Sequence, residues 1–160
     1  MTDEARKLLW KAEELGAQER VFSQRLNPNS HLRRTGLSRL AGLTRAHVSL
    51  DRIPPGKDSF AYHAHRYEEE WVYILSGRAI ADIDGQSHEV GPGDFMGFPT
   101  PGIAHLLRNP FDADLVYLMG GEAVPLDVST IRPWANASCC TTPAARPIST
   151  SSASPRNRSA

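Results

Sequence analysis

His63, His65, Glu70 and His105 stand at spacings that let two separate strands bring three imidazoles and one carboxylate to a single metal ion. The local stretch reads His63-Ala64-His65-Arg66-Tyr67-Glu68-Glu69-Glu70-Trp71. Alternate side chains of a β-strand share a face and each residue advances ~3.3 Å, so two histidines two apart can converge on one ion while neighbours cannot. Three imidazoles and a carboxylate without a thiolate suit one divalent transition metal: Fe, Mn, Ni, Co, Cu or Zn. Four protein ligands on an octahedral ion leave two positions for water, a bidentate oxygen substrate, or substrate plus O₂. The ion can polarise a carbonyl or lower the pKa of a bound water. His31, His47 and His88 read as satisfied polar side chains rather than ligands, and Glu68 and Glu69 as a solvated turn.

The elements that must position these groups are short strands. From Leu43 onward apolar and polar residues alternate: Ala46, Val48 and Leu50 against Arg45, His47 and Ser49,. Pro54-Pro55-Gly56 turns the chain toward His63. Glu70, Val72 and Ile74 share one face of the next strand, with Trp71, Tyr73 and Leu75 on the other. Ala79 to Ile83 and Gln86 to Val90 flank Asp84-Gly85, a strong hairpin turn. Strands over Phe95–Phe98, His105–Asn109 and Leu115–Met119 complete about eight strands separated by Gly/Pro turns, the pattern of an antiparallel sandwich or small barrel. Val48, Leu50, Val72, Ile74, Ile83 and Val116 are the expected core. Before this region, Asp3 to Leu15 reads as one short amphipathic helix capped at Gly16, and Gln18 to Gly42 as short edge strands.

Composition narrows the function classes. The 160 residues, 40% hydrophobic and 22% charged, suit one globular domain,. Lys plus Arg equals Asp plus Glu at 18 each, so no net field draws the chain to nucleic acid or an anionic membrane,. The acidic start Met1-Thr2-Asp3-Glu4 lacks the features of a secretory signal, and no apolar run approaches the ~18 residues of a membrane span. A cytoplasmic location is expected. The adjacent Cys139 and Cys140 provide neither a disulfide framework nor Cys-x-x-Cys metal spacing.

The pattern resembles the cupin superfamily, whose first motif runs Gly, five residues, His-x-His, three or four residues, Glu, six residues, Gly. Gly56, His63, His65, Glu70 and Gly77 match it, with one extra residue after Gly56. The second motif is matched by Gly93, Pro99, Gly102, His105 and Asn109, with one extra residue between Pro99 and Gly102. The resemblance covers residues 43 to 120. It implies an all-β jelly-roll barrel, the cupin double-stranded β-helix, to which the residue pattern adds a short N-terminal helix and the composition a disordered C-terminal tail. It also implies His63, His65, Glu70 and His105 as metal ligands.

The domain reading is an N-terminal arm over 1–20, a barrel over 21–120 and an extension over 121–160, disordered from about 133. After Asp127 there is no acidic residue, and from Pro133 the chain is dominated by Ala, Ser, Thr, Pro and Arg, the composition of a solvated extension,. Codons permitted for Ile131 to Ala137, read one base earlier, can spell a continuation resembling that of similar cupins, so this tail reads as a change of frame. The expected function is metal-dependent action on a small oxygenated metabolite, similar to sugar-phosphate isomerase-like cupins or to dioxygenases; the alternative is a non-catalytic binding or sensing module. No catalytic group is assigned. Tyr62, Tyr67 and Arg66 lie near the motif, and Ile74, Phe95, Phe98 and Leu107 are candidates to line an apolar pocket. The stripe of Trp71, Tyr73 and Leu75 suggests a homodimer. The expected partner is a small molecule, with no nucleic acid and no membrane.

Overall fold

Twelve strands and two single-turn helices make up the described residues, 7–133, of the computed structural model. In chain order these are α1 (Ala12–Gly16), β1 (Arg20–Phe22), β2 (Leu32–Gly36), α2 (Leu37–Ala41), β3 (Ala46–Ile53), β4 (Lys57–Asp58) and β5 (His63–His65). Then come β6 (Glu70–Ser76), β7 (Ala79–Ile83), β8 (Gln86–Val90), β9 (Phe95–Phe98), β10 (His105–Asn109), β11 (Leu115–Glu122) and β12 (Ser129–Ile131). One sheet has the order β1-β2-β3-β11-β6-β9 and the other β12-β5-β10-β7-β8, with β4 added to β10. All these strand pairs are antiparallel. The order is non-sequential in both sheets, the long-range arrangement of a jelly roll.

The core lies between the sheets. Leu32, Ile53, Val72, Ile74, Leu115 and Tyr117 from the first meet Ala79, Ala81, Val90 and Leu107 from the second. The expected hairpin forms: Asp84 and Gly85 both take positive φ, 48° and 80°, as a tight two-residue turn between β7 and β8 demands,. Gly77 also has positive φ, and a Cβ there would lie 2.3 Å from the Asp114 carbonyl oxygen, so the chain crosses beside β11 only as glycine,. Asn109 ends the second motif as a wholly buried pin, donating from Nδ2 to the carbonyls of Ile53 and Ala113, both at 2.8 Å.

Three expectations change. The N-terminal helix is shorter than the pattern suggests: α1 begins at Ala12, none of its residues is buried, and Leu8 and Leu9 are exposed. A helix that docks no apolar face gains little beyond its own propensity, and one turn is then all that persists. Residues 1–6 lie outside the described range. Between Gln18 and Gly42 the edge strands β1 and β2 form, but Leu37–Ala41 is the helical turn α2, closed by Gly42 at φ 70°.

The third change concerns which side of β3 faces inward. Ser49, Asp51 and Ile53 point into the barrel and are buried, whereas Val48, Leu50 and Val116 are half-buried on the outer face. Val72 and Ile74 are buried as expected, and Ile83 packs against the core while only partly buried. Asp51 tolerates full burial because Arg34 grips it with Nε to Oδ1 at 2.9 Å and Nη2 to Oδ2 at 2.6 Å,. Of these inward polar residues Ser49 lines a cavity, while Asp51 is buried on Arg34.

Candidate metal centre

Pairing of β5 with β10 sets His63 opposite His105. Glu70 enters from the first residue of β6, on the facing sheet. The backbone approaches closely here: the Gly102 N–H donates to the His65 carbonyl at 2.7 Å, and a Cβ on Gly102 would lie 2.1 Å from that oxygen. The second motif's glycine is thus a requirement of the β5 approach. Phe98 stacks on the His105 ring at 3.7 Å between centroids and 7° between planes, which fixes the orientation of that imidazole.

The structure brings all four sequence-derived residues together. His63 Nε2 lies 3.0 Å from His65 Nε2, His65 Nε2 lies 3.3 Å from Glu70 Oε2, and Glu70 Oε2 lies 3.1 Å from His105 Nε2. Glu70 is buried while Glu69 is exposed, in keeping with the six-residue spacing from Glu70 to Gly77. Each imidazole is anchored through its other nitrogen. His63 Nδ1 donates to Ala61 O at 2.8 Å, His105 Nδ1 to Ile103 O at 3.0 Å, and His65 Nδ1 to Asp127 Oδ2 at 2.7 Å. Since every Nδ1 faces an acceptor, Nδ1 carries the hydrogen and the Nε2 lone pairs are left to face the centre.

Four acceptors gathered at such separations call for a cation among them. Ligands at right angles on an ion with bonds of ~2.1 Å are separated by ~3.0 Å, so this donor set fits a transition metal. In the metal-free chain a proton takes that place. Hydrogen bonding to Glu70, with a further contribution from Asp127, outweighs burial and raises His65 to about 9. Burial, together with the neighbouring His105, pushes His63 down to about 4. Burial acts to raise Glu70, but the hydrogen bonds to His105 and His65 prevail and hold it well below the usual carboxylate range.

Asp127 is the residue that sequence spacing does not reveal. Its carboxylate bonds the His65 ring and accepts the Tyr67 N–H at 3.0 Å, across 62 and 60 residues of sequence. It is carried there by β12, which pairs with β5 through Ser129↔His65 and Ile131↔His63. Its position as the last acidic residue of the chain is the sole sequence signal it leaves.

A cavity of about 520 Å³ adjoins the centre, lined among others by His63, His65 and Glu70. That volume suits a small metabolite. Phe22, Phe60, Met119 and Ile131 form its apolar part; Arg34, Arg39, His47, Ser49 and Glu68 form its polar part. His47, read from sequence as a satisfied side chain, is paired through Nδ1 with Glu68 Oε1 at 2.8 Å and Glu122 O at 3.0 Å, yet it also faces this cavity. The other candidates lie elsewhere. Tyr62 receives the Gly85 N–H on its hydroxyl, Arg66 sits over the exposed Tyr67 ring, Ile74 is core, and Phe95 is exposed on the outer face. Phe98 and Leu107 do line a small inner pocket that also touches His63, Glu70 and His105.

A Cupin domain model matches residues 49–121. A crystal structure from Acidithiobacillus ferrooxidans, provisionally named a sugar phosphate isomerase, is 36% identical, with a TM-score of 0.76 over 80% of this chain and 83% of that one. The chain belongs to the cupin superfamily. A sugar phosphate isomerase from a cupin superfamily, from Silicibacter pomeroyi, is similar to this cupin at 28% identity and a TM-score of 0.65, covering 71% of this chain and 74% of the other. Among curated proteins, this cupin is 29% identical over 93 residues to Protein SchB of Streptomyces halstedii, spanning 57% of its own length and 66% of that relative's. Among the described residues no helix is long and apolar enough to cross a membrane.

Proposed function

We propose that this cupin is a metal-dependent enzyme that isomerises a small sugar phosphate, with His63, His65, Glu70 and His105 holding the ion. A bound metal would supply Lewis-acid polarisation of the substrate's carbonyl and adjacent hydroxyl. The names of the two similar isomerases support the substrate class. The observation that carries the reading is His47, an imidazole that faces the cavity beside the ligands. Both groups at its Nδ1 are acceptors, so Nδ1 is protonated and Nε2 keeps its lone pair,. An imidazole held in that tautomer by a carboxylate is arranged to take a proton from one carbon and return it to the next. We assign the site to the barrel of residues 21–120, with Asp127 supplied by the extension from 121. We assign a second copy of the chain as the partner on the outer face of β3, β11, β6 and β9.

The test is anaerobic incubation of metal-loaded protein with aldose and ketose phosphates in D₂O, following interconversion and deuterium uptake by NMR. Turnover is expected in wild type, with a loss of roughly 10²–10⁴-fold in His47→Gln at unchanged metal content. Absence of interconversion in wild type would refute the isomerase reading. The apolar wall of Phe22, Phe60, Met119 and Ile131 favours oxygenation as the second reading; O₂ consumption by Fe(II)-loaded protein would select it. Tight binding of an unaltered metabolite with neither reaction would select a binding module.

A further inference from the structure

The charged groups of the cavity wall are nearly all compensated. Arg34 is gripped by Asp51, His47 is paired with Glu68, and the remaining imidazoles and Glu70 face one another at the centre. Arg39, an exposed residue of α2, differs: it is among the residues that line the cavity, its Nε lies beside Gly36, the β2 residue paired with Ser49, and its side chain has no hydrogen-bond or ion-pair partner among the described residues. Ser49 adds a second unmet group. Its hydroxyl is on the inward face of β3, the residue is 4% exposed, and its Oγ has no hydrogen-bond partner. A buried hydroxyl without a partner is uncommon and costly, so the wall is incomplete without a polar ligand.

We propose that Arg39 and Ser49 form an oxyanion subsite that takes the phosphate of the substrate, while the sugar end lies at the metal ligands. The inference rests on the sugar-phosphate reading and names the residues that select for phosphate. Its chemistry is that of a charge-assisted donor beside a neutral one: the guanidinium presents paired N–H groups to two phosphate oxygens, and the serine hydroxyl donates to a third. Phe22 and Phe60 bring low dielectric to the same wall, and the Arg34 guanidinium lies 4.9 Å from the Phe60 ring centroid, held by Asp51 rather than left for the ligand. An uncompensated cation on a partly apolar wall attracts an anion more strongly than the same group in open water.

The experiment is calorimetric titration of the full metal-loaded chain with ribose 5-phosphate, ribose, ribonate and inorganic phosphate, in wild type, Arg39→Ala, Arg39→Lys and Ser49→Ala. Ribose 5-phosphate should bind Arg39→Ala roughly ten- to a hundredfold more weakly than wild type, with Arg39→Lys between them and ribose unaffected. Ser49→Ala should weaken the same probe by a smaller factor, and inorganic phosphate should compete in wild type but not in Arg39→Ala. Equal affinity of wild type for ribose and ribose 5-phosphate, no binding of ribose 5-phosphate, or an unchanged affinity in Arg39→Ala and Arg39→Lys would overturn the subsite. Ribonate binding as tightly as ribose 5-phosphate, with the same dependence on Arg39, would overturn the phosphate assignment. If ribose 5-phosphate binds through Arg39 but is never isomerised, the subsite stands and the isomerase reading falls.

Discussion

At the scale of single residues, the proposed metal site would set a proton against a metal for one imidazole. His65 is raised to about 9 because Glu70 and Asp127 flank its ring, so near neutral pH a metal must displace a proton from Nε2. Apparent metal affinity should therefore increase about tenfold per pH unit up to about 9 and then level off, and binding at pH 7 should release a proton, measurable by calorimetry in buffers of different ionisation heat. The metal-free chain has the opposite dependence on that group. A raised folded pKa contributes stability that is complete below the unfolded value of ~6.5 and is lost as pH rises through about 9,. Glu70 and Asp127, both depressed, contribute stability above their unfolded values that is lost as pH falls through their folded ones,. Asp127→Asn should weaken metal binding by about 10–100-fold and move the His65 titration down toward neutrality. That His63, His65, Glu70 and His105 come together was legible from sequence, the first two because a strand's period of two puts alternate residues on one face, the others through the two motifs of the resemblance,. Asp127 and His47 were not, because their placement depends on pairing with β5 and β11 far along the chain.

At the scale of elements, β3 shows where alternation misleads. A strand beside a cavity can carry polar residues inward, and β3 does so with Ser49 and Asp51. Alternation identifies the two faces but not which one meets solvent. The consequence is measurable by chemical denaturation: Ile53→Ala or Ile74→Ala should cost ~2–5 kcal/mol through lost burial and a cavity, and Leu50→Ala nearer ~1 kcal/mol. The expected hairpin at Asp84-Gly85 and the strands after Leu43 were readable because Gly and Pro punctuate them. The β12 strand was not: three residues, Ser129–Ile131, are too few to show a period. A chain cut after Leu126 should lose Asp127 and β12 together and bind metal more weakly, whereas one cut after Pro133 should keep both its melting temperature and its metal content. The disorder expected of the tail falls on residues beyond 133, outside the described range, as does all but the start, Ile131 to Pro133, of the segment on which the change of frame is expected.

At the scale of the whole molecule, one outer face is distinctly apolar. Register places Leu50, Leu118, Tyr73 and Phe95 in a row across β3, β11, β6 and β9, with Val48, Gly120 and Trp71 in the next row. Trp71 lies so close over Gly120 that a Cβ there would meet its ring at 2.3 Å, which flattens the surface. Phe95 is 64% exposed and Tyr73 39%. A face of this kind is suited to burial against a second copy. Light scattering should find a dimer that Leu118→Arg converts to monomer with its metal retained; a wild-type monomer would remove the pairing. The barrel and the cavity surround one proposed centre, and the measurement that tests it most directly is elemental analysis of protein purified without an affinity tag. Roughly one transition-metal equivalent per chain is predicted for wild type, with almost none in His63→Ala and His105→Ala; equal metal in wild type and both variants, or none in wild type even after reconstitution, would contradict the account.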